Sequence, residues 1–416
     1  MIQAQTLQGK IIGNLPRQYV HMRNMQEAPL EIGKSDPTSY TCACPAAEAG
    51  GTVLLFYRYW SNAPQLPDRH KGKAEEPKLL AEWHKDLTVR LNLRGKLRIA
   101  KEGFNITVGG TRAEIDEYMK RCVNHWSFDR LQLDTEDARL LFFKPSNGCA
   151  CVFGRDGGAS VRVTAEITPM GVEGYLPKDW GGVESLLPEE FHRKCHEEDT
   201  LLLDVRNHYE SRIGYFISPQ TGEPALRLPI RRFSQWPQYL KRHPKVTQTA
   251  VHRQIMTYCT GGIRCEKGVR WMHENLEQQP GEKIYTLHGG IAAYLAWMNE
   301  EIRQGRKQVS DSLFRGRNYV FDARGSTGLD APMEPVSACH LCRAPTDNMS
   351  KCRSRRCHLI LVVCSKCDQE DLRCCQDCHK LDDEQSGSRQ ICECERGRED
   401  QLWGAKGVML PKILAD

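Results

Sequence analysis

The chain has 416 residues, room for two or three domains at roughly 150 residues each, and its 40% hydrophobic and 27% charged residues are the make-up of a globular protein. No apolar run approaches the ~20 residues of a membrane span, and no basic, then apolar, then small-residue leader opens the sequence, so neither a membrane anchor nor a secretory signal is expected. Fifty-eight Lys and Arg against 53 Asp and Glu leave +5, which admits nucleic acid at a local patch without requiring it. Cysteine is the outlier, with 19 residues, nine of them between Cys339 and Cys378. Without a secretory signal, that density reads as metal ligation rather than a disulfide framework.

Residues 1–50 read as a flexible, solvated segment, and Glu27, Glu31, Asp36 and Glu48 argue against a mitochondrial leader. A first strand is predicted at Val53–Tyr59, then a polar insertion from Ser61 to about Pro77, and a helix over Lys78–Leu91. Lys96–Ala100 and Phe104–Val108 alternate as strands do, the second closed by Gly109 and Gly110. Thr111 with Glu114 three residues on is a capping box, which starts a helix over Arg112–Val123. Leu140–Phe143 and Ser160–Thr164 are read as later strands. The order suggests an α+β sandwich of the ferredoxin or acylphosphatase type over residues 51–165.

From Glu189 the pattern becomes alternating strands and helices, an α/β fold with a parallel sheet over residues 171–306. Thr200–Asp204, Arg253–Tyr258 and Lys283–Leu287 are buried strands, and helices are predicted over Glu266–Leu276 and Ile291–Ile302. Phe314–Arg324 reads as a short link. It opens a small Cys-rich zinc-binding region over residues 313–380, followed by a charged tail, 381–416.

The stretch from Tyr258 to Lys267 carries the chemistry. A strand delivers Cys259 to the mouth of the sheet, and Thr260, Gly261, Gly262 and Ile263 separate it from Arg264. Glycines let backbone N–H groups turn inward, Arg264 adds a cation, and the following helix presents its positive end. Together these hold a thiolate and make Cys259 a nucleophile. Four residues between Cys and Arg form a smaller ring than the five of cysteine phosphatases, which suits a persulfide better than a phosphate. A buried structural cysteine beside a Gly turn is the plain alternative. Asp204, at the end of a neighbouring strand, would anchor Arg264 or the loop, or merely cap a turn. Cys265 would be a resolving thiol or an inert wall, and His288 a proton carrier or a surface residue. Glu266 would stabilise the helix N-terminus.

This loop resembles that of the rhodanese family. Leu201–Glu210 with Gly214-Tyr-Phe216 is similar to the family's entry strand. Arg231–Pro237, Leu287–Ile291 and the Tyr-Cys-Thr-Gly-Gly-Ile-Arg-Cys-Glu-Lys run beginning at Tyr258 resemble a narrower branch, the rhodanese-domain tRNA uridine hydroxylase (TrhO) family. Lys101–Arg112 is similar to its acylphosphatase-like domain, and Phe314–Arg324 with the Cys cluster to its tail. Stretches at about 61–85, 147–158 and 218–224 are longer than the bacterial pattern, as in a eukaryotic member. The resemblance implies oxygen-dependent conversion of wobble uridine to 5-hydroxyuridine in tRNA, with Cys259 required. It implies molecular oxygen as co-substrate; no haem or flavin signature is visible. Two other readings stay open: a sulfurtransferase between a sulfur donor and a thiol acceptor, and a zinc-bearing interaction protein with a vestigial rhodanese domain. The expected compartment is cytoplasmic, with an organelle left open, and the oligomeric state is not legible.

Cys339, Cys342, Cys352, Cys357, Cys364, Cys367, Cys374, Cys375 and Cys378 provide nine thiols for two structural zinc sites with one to spare. An interleaved arrangement joins Cys339, Cys342, Cys364 and Cys367, and puts Cys352, Cys357, Cys378 and either Cys374 or Cys375 on the second ion. A sequential pairing stays open, as does replacement by His340, His358 or His379. Arg94, Lys96, Arg98, Lys101 and Asn105 are the expected RNA contacts, with Arg353, Arg355 and Arg356 as a second basic patch.

Overall fold

The computed structural model of the chain describes residues 51–148, 159–172, 174–244, 254–278, 280–322, 324–354, 359–369, 371–376 and 378. Expectations for the first 50 residues, the tail after 380, Arg355, Arg356, Cys357, His358 and His379 lie outside the described residues.

Alternation drives the first body. Its elements are β1 (Thr52–Tyr59), α1 (Asp68–Ala74), α2 (Pro77–Arg90), β2 (Arg94–Ala100), β3 (Gly103–Gly110), α3 (Arg112–Val123), α4 (Glu136–Phe143), β4 (Ser146–Asn147) and β5 (Ser160–Val163). Leu54 and Phe56, Leu97 and Ile99, and Phe104, Ile106 and Val108 point to one face, where Leu80 and Leu87 of α2 and Ile115 and Tyr118 of α3 cover them. The strand order is β4-β1-β3-β2-β5, antiparallel except for β5 on β2. This is the expected ferredoxin-like arrangement with one added edge strand. The capping box is present: Glu114 N–H donates to Thr111 Oγ1, and the Glu114 carboxylate accepts from Thr111 N–H.

Three expectations are corrected here. Leu140–Phe143 ends helix α4 and is not a strand. Thr135 caps that helix by accepting from Ala138 N–H, and Glu136 and Asp137 sit in the first turn where the dipole favours them. Four consecutive apolar residues carry no period of their own. The polar stretch after Ser61 folds in part as helix α1. Phe314–Arg324 is more than a link, as its pairings below show.

The second body continues with β6 (Glu184–Leu186), α5 (Pro188–Lys194), β7 (Thr200–Asp204), β8 (Gly214–Phe216), β9 (Leu226–Arg227), α6 (Trp236–Arg242), β10 (Gln254–Tyr258), α7 (Ile263–Asn275), β11 (Lys283–Leu287) and α8 (Gly290–Arg303). Its five-stranded sheet, β6-β11-β10-β7-β9, is parallel throughout. Both faces are covered, as parallel sheets require. Leu203, Val205 and Ile255 join α6 and α7 in one core, while Leu202, Met256 and Tyr258 join α5 and α8 in the other. Helix α7 starts three residues earlier than the sequence suggests, so Arg264 and Cys265 lie in its first turn.

Beyond α8, β12 (Phe314–Gly316) pairs with β8, β13 (Asn318–Tyr319) with β14 (Ser326–Thr327), and β15 (Met349–Lys351) with β16 (Ile360–Val362). The first two bodies are locked by a buried cation. Lys267 of α7 donates to Glu102 and Glu166 at 2.7 Å each, and Tyr59 packs on Trp180 with ring centroids 5.4 Å apart. Among the described residues no helix is long and apolar enough to cross a membrane.

Candidate active site

Strand β10 ends at Tyr258, and the chain turns through Cys259–Gly262 into α7. The turn is shaped from behind by the start of α8. Ile291 N–H donates to Cys259 C=O at 2.9 Å and Ala292 N–H to Thr260 C=O at 3.0 Å, which draws the loop carbonyls toward α8. A Cβ on Gly290 would lie 2.4 Å from Cys259 O and 2.7 Å from the nitrogens of Gly261 and Gly262, so only glycine allows this approach. Gly262 itself has φ +97°.

The Cys259 sulfur accepts the Gly262 N–H at 3.2 Å. Burial alone would push its thiol up; the Cys265 side chain, the Arg264 charge and the backbone N–H groups of Cys265 and Arg264 outweigh it and bring the pKa to about 5. Cys265, as buried, is driven the other way, first by burial and then by its bond to Cys259. One thiol is therefore a thiolate at neutral pH and its neighbour the proton-bearing donor. Cys259 is only 1% exposed. The open cleft is walled by Thr260, Gly261, Ile263 and Arg264, and the sulfur sits behind that wall.

Arg264 does not clasp a loop ligand. Its guanidinium makes two bonds of 2.6 Å to the Glu210 carboxylate and one of 2.9 Å to Thr260 Oγ1, all buried. It acts on the sulfur through its charge, while its donors brace the loop. Glu210 is brought there by a 3-10 turn, Glu210–Arg212. Asp204, expected to anchor Arg264 or the loop, instead accepts three buried bonds from the Arg206 guanidinium, the shortest 2.7 Å. The acid two residues before Arg206 finds its cation locally, and Glu210 takes the loop. His288 faces Ser185, 3.4 Å from its hydroxyl, away from the cleft, and burial with the Lys144 charge lowers its pKa. Glu266 is buried and paired with Arg270 at 2.6 Å.

A cleft of about 540 Å³ opens between this loop and the uncovered face of the first sheet. Cross-strand rows form its floor: Leu55, Thr107 and Lys96 in one, Tyr57, Asn105 and Arg98 in the next. Arg231, Arg232 and Phe321 complete the rim. Of the five expected RNA contacts, Lys96, Arg98 and Asn105 reach the cleft. Arg94 is buried, and Lys101 pairs with Glu75 at 3.4 Å on the exposed surface. Arg353 is tied to Asp368. The sequence reading missed Glu210 as the Arg264 partner, Gly290 as the loop's support and Tyr57 at its edge; the entry-strand motif that contains Glu210 was the available signal.

In the Cys-rich region the sulfurs of Cys339, Cys342, Cys364 and Cys367 lie within 4.8 Å of one another, and so do those of Cys352, Cys374 and Cys378. A tetrahedral zinc with bonds of ~2.3 Å needs sulfurs roughly 3.8 Å apart. The Cys342–Cys364 and Cys374–Cys378 separations are 3.6 and 3.3 Å. The grouping is the interleaved one, and Cys374 rather than Cys375 joins the second cluster.

Residues 51–167 match the family model described as the UPF0176 acylphosphatase like domain, and residues 315–379 the one described as Rhodanase C-terminal. The chain is 28% identical over 326 residues to a tRNA uridine(34) hydroxylase of Escherichia coli, an alignment covering 78% of this chain and 80% of the relative. A Bacillus cytotoxicus protein of the same name is 28% identical, covering 78% and 86%. One from Leptospira interrogans is 29% identical, covering 78% and 76%.

Proposed function

We propose that the chain is a member of the tRNA uridine(34) hydroxylase family that its relatives represent, and that it hydroxylates a wobble uridine of tRNA with Cys259 as the reacting group. The observation that carries the reading is the pairing of a stabilised thiolate with a basic cleft lined by two domains. In this reading residues 51–165 and 171–306 enclose the substrate, and 313–380 is a metal-stapled appendage.

The roles follow from the geometry. Inward N–H groups and the Arg264 charge hold Cys259 as an anion without a separate base. Glu210 and Gly290 keep the loop in shape. Lys96 and Arg232 supply cations for the RNA backbone, and a single extruded nucleotide fits a cleft of this size. A thiolate adding to C6 of uracil would move electron density to C5 and O4 and make C5 the carbon that takes one atom of molecular oxygen; an external two-electron reductant and two protons would carry the other atom to water, and loss of the C5 proton with expulsion of the Cys259 thiolate from C6 would restore the ring. Molecular oxygen is the co-substrate in this reading.

Zinc is assigned to structure. Cys339, Cys342, Cys364 and Cys367 would hold one ion, and Cys352, Cys374 and Cys378 three positions of the other. With Cys357, which lies outside the described residues, as the expected fourth ligand, both sites would be all-thiolate with no place for a reacting water, so the metal would supply folding energy. The reduced thiols this requires support a cytoplasmic setting, with an organelle left open.

Nucleoside mass spectrometry of tRNA from cells carrying the wild type or Cys259→Ser tests the reading. 5-Hydroxyuridine and its derivatives fall in the variant; equal amounts in both would defeat it. The same ring of N–H groups also favours a second reading, sulfur transfer through a Cys259 persulfide. A thiol-acceptor assay with thiosulfate separates the two.

A further inference from the structure

The second row of the cleft floor presents three polar groups whose pattern is specific. We infer that Tyr57, Asn105 and Arg98 form a reader for the imide edge of one extruded uracil. The ligand rests on the tRNA reading above; the pattern of donors and acceptors does not.

Tyr57 faces Asn105 across β1 and β3, and Asn105 faces Arg98 across β3 and β2. Directly opposed side chains on one face stand within reach of a common ligand, and all three line the cleft. The Asn105 amide group donates through Nδ2 to the Ile167 carbonyl at 3.2 Å. That contact fixes the amide, and Oδ1 is left as a fixed acceptor. The Tyr57 hydroxyl is a donor: burial, with nearby acids, keeps it protonated, and it has no hydrogen-bond partner among the described residues. Arg98 carries a buried guanidinium nitrogen with no partner, a donor whose desolvation nothing in the protein offsets.

The row therefore reads donor, acceptor, donor. Uracil presents acceptor, donor, acceptor at O4, N3–H and O2. Strands lie ~4.8 Å apart, so the outer groups stand about two spacings apart, enough for a hydrogen bond on each flank of the imide. Cytosine places a lone pair at N3 against the Asn105 oxygen and an amino group against the Tyr57 donor, like against like at both positions.

The row also sets the orientation of the ring. A methyl built on Gly262 would touch the Tyr57 hydroxyl at 2.7 Å, and Gly262 N–H is 3.2 Å from the Cys259 sulfur. Tyr57 is thus the member nearest the loop. With O4 on Tyr57, the adjoining C5 edge turns toward Cys259. The reverse pose would direct it toward Arg98 and away from the sulfur.

The test is equilibrium binding of the full chain to an anticodon stem-loop RNA carrying uridine, cytidine or 3-methyluridine at one loop position, read by fluorescence anisotropy. Wild type is expected to prefer uridine about tenfold or more over either alternative, the scale of one good directional pair. Asn105→Leu brings the three within about twofold, and Tyr57→Phe weakens uridine binding several-fold without affecting cytidine. Tyr57→Phe removes one oxygen and guards against a misfolded Asn105 variant. Equal binding of uridine and cytidine by wild type, or a preference that survives both Asn105→Leu and Tyr57→Phe, overturns the inference. Because binding is read without turnover, 5-hydroxyuridine formation with no uridine preference would sink the reader and leave the hydroxylase reading standing. A preference lost in Asn105→Leu would support the reader even if no hydroxylation were found.

Discussion

Two regions of the molecule gather sulfur, and they surround it in opposite ways. At Cys259 a single sulfur is surrounded by N–H donors and a cation, with one neighbouring thiol that keeps its proton. In the appendage the sulfurs of four cysteines, and of three more, surround one another within 4.8 Å. Donors aimed at a lone thiolate stabilise its charge without sharing its lone pairs with a metal, and leave it a nucleophile. Thiolates aimed at a common centre repel one another until a cation joins them, and become ligands. Number and aim of neighbours, rather than cysteine content, separate a reactive sulfur from a structural one.

The sharpest way to break this contrast is to remove one sulfur from each region. Cys259→Ser is expected to lower 5-hydroxyuridine formation by about 10⁴-fold or more, the scale of losing a nucleophile, with little change in melting temperature. Removing zinc should do the reverse. Chelation is expected to lower the melting temperature by about 10 °C, as a loss of several kcal/mol would, because β15 and β16 carry Met349 and Val362 onto Tyr319 of β13 and onto Ile213 of the second body. The rate of Cys259 alkylation should stay within about twofold, since no appendage cysteine approaches the loop among the described residues. Metal analysis that finds no zinc, or alkylation kinetics that collapse with chelation, would merge the two regions.

Glu210→Gln tests whether charge in the loop is structural as well as electrostatic. It leaves Arg264 buried without its carboxylate, and breaking such a pair costs about 3–5 kcal/mol, measurable by denaturant unfolding. Asp204→Asn should destabilise too, through Arg206, but leave the reactivity of Cys259 unaltered. Equal effects of both on alkylation would restore Asp204 to the loop.

What the sequence discloses of these regions follows a physical line. Strand β10, the loop and helix α7 are legible because they are contiguous: a buried run, two glycines and a helix start within twenty residues. The cysteine knuckles are legible from spacing for the same reason, each being local, but spacing left open whether they group in sequence or interleaved, and the fold decides it. The Glu210–Arg264 pair is not, since it joins residues 54 apart through a 3-10 turn, and Asp204, with an arginine two residues away, had no need of the loop. Leu140–Phe143 misleads because burial alone does not separate a strand from the last turn of a helix; its sign was the Thr135 cap upstream. The cleft is still less legible. Tyr57, Asn105 and Arg98 come from three strands, and their alignment is a matter of register that no local pattern states.

The smallest expected effect concerns Cys265, and it decides between the resolving thiol that the sequence allowed and the proton-bearing donor that the structure adds. If Cys265 serves as a proton-bearing donor to the Cys259 sulfur, Cys265→Ala removes the strongest single opponent of burial and moves the Cys259 midpoint up from about 5 toward neutrality. The thiolate is the reactive form above the midpoint and the unreactive thiol forms below it. In wild type, alkylation should therefore be flat from neutral pH down to about 6 and fall through pH 5. In the variant the fall should begin at higher pH, with rates near pH 7.5 within about twofold, because both proteins are then largely ionised and a higher midpoint slightly raises intrinsic nucleophilicity. A resolving thiol behaves otherwise. Its removal would leave the pH profile of the first alkylation in place and stop multiple turnover. Matched profiles with lost turnover would make Cys265 a redox partner; a displaced profile with turnover retained keeps it a donor, and keeps the loop a site of one reacting sulfur.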